Sequence, residues 1–345
     1  MNRFSNRACM SLVVFFLLVV TVLSGCSSTN NANNTNNAES QNEAKEVSGD
    51  NKGATIKLGL PSSNSSYLPL FVADKKGFFQ DRNLTVTLKK VQGGVIALRG
   101  LQTNDFQVIS SLPESVITGV AQGADVKMIG TLDDQSMYSI YTTKDINSPE
   151  DLKGEVVATN RTGNGTDIQL RWWLEKNGLE PDKDVRIIEA GENSTRLQSL
   201  MTGQAKLTIL SQPTDLKADT SGMKKLAVMR DEMKAYNHNM LMANGDFLKN
   251  QPEAAKAFVE AVGEATEYAK KPENREEMVM LIMDELQMEK QDAEKSFDFV
   301  LPALADKAKI NREGVQWAID TTKETGMLKE DISTDQLIYE NTSAK

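Results

Sequence analysis

Between residues 55 and 250, short apolar runs alternate with small polar stretches and then with apolar positions at helical spacing. Residues 56–60 (Ile-Lys-Leu-Gly-Leu), 61–66 (Pro-Ser-Ser-Asn-Ser-Ser) and 67–76 make one such set. That order predicts a buried strand, a loop and a helix. About one hundred residues later, 156–159 (Val-Val-Ala-Thr), 160–167 (Asn-Arg-Thr-Gly-Asn-Gly-Thr-Asp) and 168–174 repeat the set, with Thr166 or Asp167 expected as N-cap. Strands expected at 84–88 and 106–111 are answered by 185–188 and 206–211, Leu98 and Leu101 by Leu197 and Leu200, and Pro113 by Pro213. One α/β unit is expected twice, facing itself across a cleft with strand ends and helix N-termini turned inward.

Residues 139–142 and 239–242, again one hundred apart, are expected to cross between the units and act as the hinge. From residue 251 the apolar spacing is helical throughout. Pro252 suits N1, and Ala254, Phe258, Ala261, Val262 and Ala265 form the first stripe. Phe297 with Val300, and Val315 with Ala318 and Ile319, form later stripes, and Gly326 is expected as a C′ stop. This tail is expected to wrap the first unit.

The N-terminus has its own logic. Arg3 and Arg7 precede an apolar run over 10–23, then Leu23-Ser24-Gly25-Cys26. This pattern marks an export signal. The last four residues resemble the bacterial lipobox, which implies a signal peptide over 1–25 and a diacylglycerol on Cys26. An uncleaved membrane anchor is the other reading. Residues 26–53 are rich in Asn, Ser, Thr and Glu and nearly free of large apolar side chains, as in a flexible tether. The expected domains are therefore 54–140 with 240–345 as one discontinuous lobe, and 141–239 as the other.

Charge and residue usage narrow the function. With 39 basic and 48 acidic residues, the chain has no electrostatic footprint for nucleic acid. Cys9 and Cys26 are the two cysteines and His238 is the single histidine. A zinc site of the Cys/His kind, a thiol nucleophile and a histidine-based triad are thereby nearly excluded. No cofactor or metal is expected, and binding is favoured over catalysis.

The candidate chemistry is that of helix starts. A strand feeding a glycine-rich turn into a helix leaves N–H donors free at the positive end of the dipole, suited to a carboxylate, sulfonate, phosphate or nitrate. Arg161 beside the 162–166 loop either pairs with such a head group or faces solvent. Tyr67, with Tyr138 or Tyr141, either stacks on a flat ligand or packs in the core. Of Trp172 and Trp173, one is expected in the core and the other at the rim. His238 is expected to be structural.

Residues 67–73 (Tyr-Leu-Pro-Leu-Phe-Val-Ala) with 76–79 (Lys-Gly-Phe-Phe), 92–94 (Gln-Gly-Gly), 119–126, 148–154, and 175–179 with 181–185 resemble one protein family in blocks of the right order. It comprises the nitrate-, sulfonate- and taurine-binding proteins and the binders of thiamine pyrimidine precursors, extracytoplasmic receptors of ABC importers. The resemblance covers residue 56 to about residue 252. It implies a type II periplasmic-binding-protein fold, with two α/β lobes joined by two crossing strands and a helical C-terminal tail.

The resemblance also implies a monomer, lipid-anchored outside the bacterial cell membrane, that passes a small-molecule ligand to an ABC permease and its ATPase. Ligand residues carried onto this chain are Asn64, Ser66, Tyr67, Gly93, Gly94, Ser111, Leu112, Glu114, Thr162, Asn164, Gly165, Thr166, Asn193 and Gln212, to which Arg161 is added by its position. Gln204 and Gln212 depart from the acidic residues that many relatives carry. The expected ligand is a small organic anion such as a sulfonate, taurine-like or nitrate-like solute. A pyrimidine or other flat heterocycle, or a sensory lipoprotein without transport, are the alternatives.

Overall fold

The computed structural model describes residues 53–342, apart from Gln92 and Lys234. The expected signal peptide, Cys26 and the tether up to residue 52 lie outside the described residues.

In the first lobe, β1 (Ala54–Leu60), α1 (Leu68–Lys75), β2 (Leu84–Lys90), α2 (Gly94–Gln102), β3 (Val108–Ser111), α3 (Pro113–Ala121) and β4 (Val126–Thr131) follow in order. The second lobe holds β5 (Tyr138–Thr142), β6 (Val156–Thr159), α4 (Gly165–Lys176), β7 (Arg186–Glu189), α5 (Asn193–Met201), β8 (Leu207–Ser211), α6 (Thr214–Thr220) and β9 (Lys224–Val228). A short turn of helix, α7 (Met229–Glu232), precedes β10 (Met240–Asn244), which returns to the first lobe. The sheets run β2-β1-β3-β10-β4 and β7-β6-β8-β5-β9.

The two orders are the same arrangement. In each sheet the first three strands are parallel and the fourth is antiparallel to both neighbours. Each antiparallel strand carries a register shift at the equivalent place, between Ile140 and Tyr141 and between Leu241 and Met242. The chain leaves the first sheet through residues 132–137 and returns through 229–239, so the crossings precede the expected hinge segments 139–142 and 239–242, whose strands β5 and β10 each pair within a single sheet. Central strands β3, β5, β8 and β10 are buried along their whole length because helices cover both faces, which is why they read as apolar runs.

The tail comprises α8 (Gly245–Asn250), α9 (Pro252–Lys270), α10 (Arg275–Leu286), α11 (Lys290–Val300), α12 (Arg312–Glu324) and α13 (Thr334–Leu337). Helices α9 to α11 bury their stripes against α1, β1 and the turn after α1, where Phe258 stacks on Phe79 at 5.4 Å. Helix α12 departs from the expected wrapping of one lobe. Its Val315, Ala318 and Ile319 join a core shared with Val116 and Ile117 of α3 and Leu170 and Trp173 of α4. It therefore straddles both lobes. Asn237 of the second crossing holds its start, donating to the Asn311 carbonyl and accepting from the Asn311 amide.

Candidate functional site

A cavity of about 70 Å³, counted as space open to the centre of a water-sized sphere, lies between the lobes at the carboxyl ends of the parallel strands. One water needs about 10–15 Å³ by that measure. The space therefore suits a few waters or a solute of few heavy atoms.

Each wall has a local cause. After β1, the Asn64 carboxamide accepts from the Ser66 amide and donates to the Ser62 hydroxyl, which also lies 3.3 Å from the Tyr67 hydroxyl. Burial pushes the Tyr67 phenol up to about 12, so it stays a donor. Gly93, at φ +86°, turns the chain into α2 in a conformation that a side chain would strain. Gly94 approaches β3 so closely that an added Cβ would stand 3.0 Å from the Ser111 hydroxyl.

In the second lobe, Asn164 rather than Thr166 or Asp167 caps α4, accepting from the Asp167 amide at 3.0 Å. The reason is reach: Gly165 takes the first helical position, and the short amide of Asn164 meets the amide three residues on. Asp167 instead accepts from the Gly163 amide at 2.9 Å and pairs with Arg171 at 2.8 Å, fixing the glycine loop from within. Thr166 hydrogen-bonds the Tyr138 hydroxyl at 3.0 Å, and Tyr138 packs edge-on against His238. Burial and the nearby Arg230 drive His238 down to about 3. It is neutral, and its Nδ1 accepts from the Met137 amide.

Arg196 is the most consequential lining residue. It is 1% exposed and donates to the carbonyls of Ile209 and Gly191 and to the Asn193 side chain, all neutral acceptors. Glu192, on the same wall, is a carboxylate whose charge acts on it without a hydrogen bond between the two side chains. Asn193 in turn donates to the Ser211 hydroxyl at 2.8 Å. The starts of α2, α3 and α5 carry no side-chain cap. Their lining residues Gly94, Leu112 and Asn193 meet the start of α4 around the same space.

Of the expected ligand residues, the structure brings Asn64, Tyr67, Gly93, Gly94, Ser111, Leu112, Asn164, Gly165, Thr166 and Asn193 to the cavity wall. Five stand elsewhere. Ser66 is buried behind the wall. Arg161 is exposed and lines an outer groove with Gly94, Val95 and Thr195. Thr162 is exposed and its amide donates to Glu189. Gln212 is buried in the cis Gln212–Pro213 turn. Glu114 points from α3 towards α4 and meets Tyr236 instead of the cavity. Tyr141 donates to Asp219 in the second lobe, and Trp172 packs on Trp317 while Trp173 is core.

The wall also holds Ser62, Ser115, Asn160, Glu192, Arg196, Ser211, His238 and Asn239. Ser211 was reachable from the repeat, since it is the counterpart of Ser111. Arg196 had a fainter signal: a charge placed beside Leu197 and one turn before Leu200, on the face that the stripe buries.

A sequence profile of the family described as NMT1/THI5 like matches residues 64–275, more than half of the chain. The chain belongs to that family. It is 23% identical over 218 residues to the putative binding protein YtlA of Bacillus subtilis, covering 62% of this chain and 65% of that one. It is 26% identical over 302 residues to the nitrate/nitrite binding protein NrtA of Synechocystis, covering 76% of this chain and 65% of that one. The alignments thus span about 65% of the length of these curated relatives. Among solved structures, the periplasmic aliphatic sulphonate binding protein SsuA of Escherichia coli superposes with a TM-score of 0.70. That superposition covers 84% of this chain and 94% of SsuA at 16% identity, which identifies the periplasmic-binding-protein fold. Among the described residues, no helix is long and apolar enough to cross a membrane.

Proposed function

We propose that this chain is a solute-binding receptor that closes its two lobes on a small anion and delivers it to an ABC permease driven by a cytoplasmic ATPase. The observation that carries the reading is Arg196, a buried guanidinium whose side-chain hydrogen bonds all go to neutral acceptors, set among helix N-termini from both lobes. A buried cation of this kind favours an anionic guest, and uncapped N–H groups add to the field. The cavity volume supports a nitrate-sized or small sulfonate solute. The rings of Tyr67 and Tyr138 favour the second reading, a small flat heterocycle.

In this reading the ligand is held by the wall residues named above. The sheet β2-β1-β3-β10-β4 and the helices packed on it move against the sheet β7-β6-β8-β5-β9. A solute that touches both lobes lowers only the closed state's free energy and so shifts the population. Micromolar affinity corresponds to about 8 kcal/mol, ample against a closure cost of a few kcal/mol. The N-terminal pattern supports export and a lipid on Cys26 that tethers the receptor outside the membrane. Catalysis has no place in this reading.

The test is a thermal-shift screen against nitrate, methanesulfonate, taurine and aminopyrimidines, since binding to the folded state raises apparent stability. A hit among the anions that is lost on Arg196→Met supports the reading. A hit confined to pyrimidines would replace it with the second one. Permease genes beside this one would separate transport from sensing.

A further inference from the structure

Behind the cavity wall lies a buried carboxyl that solute binding does not use. Glu114, on the first turn of α3, is fully buried. Both of its oxygens lie 2.8 Å from the Tyr236 hydroxyl, which accepts from Gln169 Nε2 at 2.7 Å. Gln169 Oε1 in turn takes a hydrogen bond from Ser136. The network joins α3 of the first lobe, α4 of the second, and both crossings, which carry Ser136 and Tyr236. It is closed sterically by Gly165, whose added Cβ would stand 2.6 Å from Glu114 Oε2 and 2.7 Å from the Leu112 Cβ. The lobes meet here backbone to side chain.

Resting on the closure reading above, we propose that Glu114 is a positioning residue whose carboxyl must hold a proton for the lobes to close, so that solute affinity falls as the solution turns alkaline.

Three observations carry this. The Tyr236 hydroxyl has a single proton to share between the two oxygens it faces, so a charge on this buried carboxyl would have one bifurcated side-chain donor to hold it. The groups facing Glu114 offer no cation: Gly165 and Gln169 come from α4, Tyr236 from the second crossing and Tyr138 from β5. His238, in ring contact with Tyr236, is neutral, and Trp317 of α12 covers the other side of that ring. The nearby charges Asp167 and Arg171 pair with each other, and Arg230 lies over Phe299. Lastly, burial holds Glu114 at about 8 against its ordinary 4.5, so the closed form keeps the proton at neutral pH.

Parting the lobes draws Gly165 away from Leu112 and admits water to the carboxyl, which returns it towards its ordinary value. The closed state therefore binds the proton more tightly than the open state. Its advantage is complete below about pH 4.5, erodes by at most about tenfold per pH unit, and is gone above about pH 8. Asp133 is a second buried carboxyl near the crossings. Its partners Ser66 and Asn239 stay with the first lobe and its adjoining crossing, so its hydrogen bonds do not bridge the lobes.

The test uses small-angle X-ray scattering of the ligand-free receptor, and methanesulfonate titration calorimetry, from pH 5 to 9. Wild type is expected to expand with rising pH and to lose at least tenfold in methanesulfonate affinity. Glu114→Gln, which keeps the shape but cannot ionise, is expected to hold the acid-side radius and affinity throughout. Glu114→Leu serves as a second neutral variant if the amide disturbs folding. A flat wild-type scattering profile, or neutral variants that track wild type, would overturn the proposal. If methanesulfonate does not bind, the ligand reading fails while the scattering still decides the proton coupling.

Discussion

The Leu112 side chain of the first lobe stands where a Cβ on Gly165 of the second would have to go: the built atom falls 2.7 Å from the Leu112 Cβ. Gly165 has no positive φ to protect, since it starts α4 in helical conformation. An alanine there would favour the helix by up to about 1 kcal/mol. The glycine is required by the neighbour across the cleft and not by its own helix. Gly165→Ala is therefore expected to leave the ligand-free melting temperature unchanged or slightly higher, while lowering solute affinity at least tenfold. Calorimetric titration beside a thermal melt checks it. A variant that binds as wild type does would mean that Gly165 and Leu112 do not set the closed state.

Arg196 is expected to contribute more to binding than any other wall residue. Replacing it by Met removes the charge and keeps much of the stem. Hydrogen bonds to charged groups are worth about 1.5–3 kcal/mol, so anion affinity should fall by roughly tenfold to a hundredfold or more. Arg196→Lys keeps the charge but not the fork that reaches Gly191, Ile209 and Asn193 together, and should recover only part of the loss. Equal affinity of the Met variant for nitrate or methanesulfonate would exclude the anion site.

The glycine loop before α4 depends on a buried ion pair. Asp167 is fully buried and holds both the Gly163 amide and the Arg171 Nε, and Arg171 continues to Asp182 at 2.7 Å. Removing one partner strands the other, at a cost of about 3–5 kcal/mol. Arg171→Met should lower the denaturation midpoint accordingly, and adding Asp167→Asn should restore much of it. Additive losses in urea titrations would show that the two side chains act independently.

The duplicated architecture was legible because its signals are local. Apolar runs, the loops after them and the positive-φ turn at Gly93 depend on neighbours in sequence, and they recur at one offset in both lobes. Thus Asn64, Gly94, Asn164 and Asn193, which the family resemblance implies as ligand residues in the loops after the strands, do line the cavity. What could not be read depends on tertiary partners. Arg196 looks like an ordinary helix-surface charge until the carbonyls of Gly191 and Ile209 close round it. The direction of Glu114 is set by Tyr236, which is far away in sequence. Helix α12 has the same periodicity as the rest of the tail, and only the shared core beneath the cavity tells which lobe it meets.

Asp133 makes a last prediction, on stability and not on binding. Its Oδ2 accepts from Asn239 Nδ2 at 2.6 Å, while Oδ1 has no partner among the described residues. Burial raises this carboxyl from an ordinary 3.8 to about 8. A folded-state value above the unfolded one means that the native chain binds the extra proton. The associated stability is complete below about pH 3.8 and is lost as pH rises through about 8. Asp133→Asn offers a near-isosteric group with no proton to lose. Its stability relative to wild type should improve with pH, by at most about 1.4 kcal/mol per unit between pH 5 and 8. Urea unfolding at pH 5, 6.5 and 8 measures that gap directly. A gap that stays constant across the three would show that Asp133 is ionised in the folded protein at all of them, and that Arg230, with its Nε unpartnered nearby, compensates the charge at a distance.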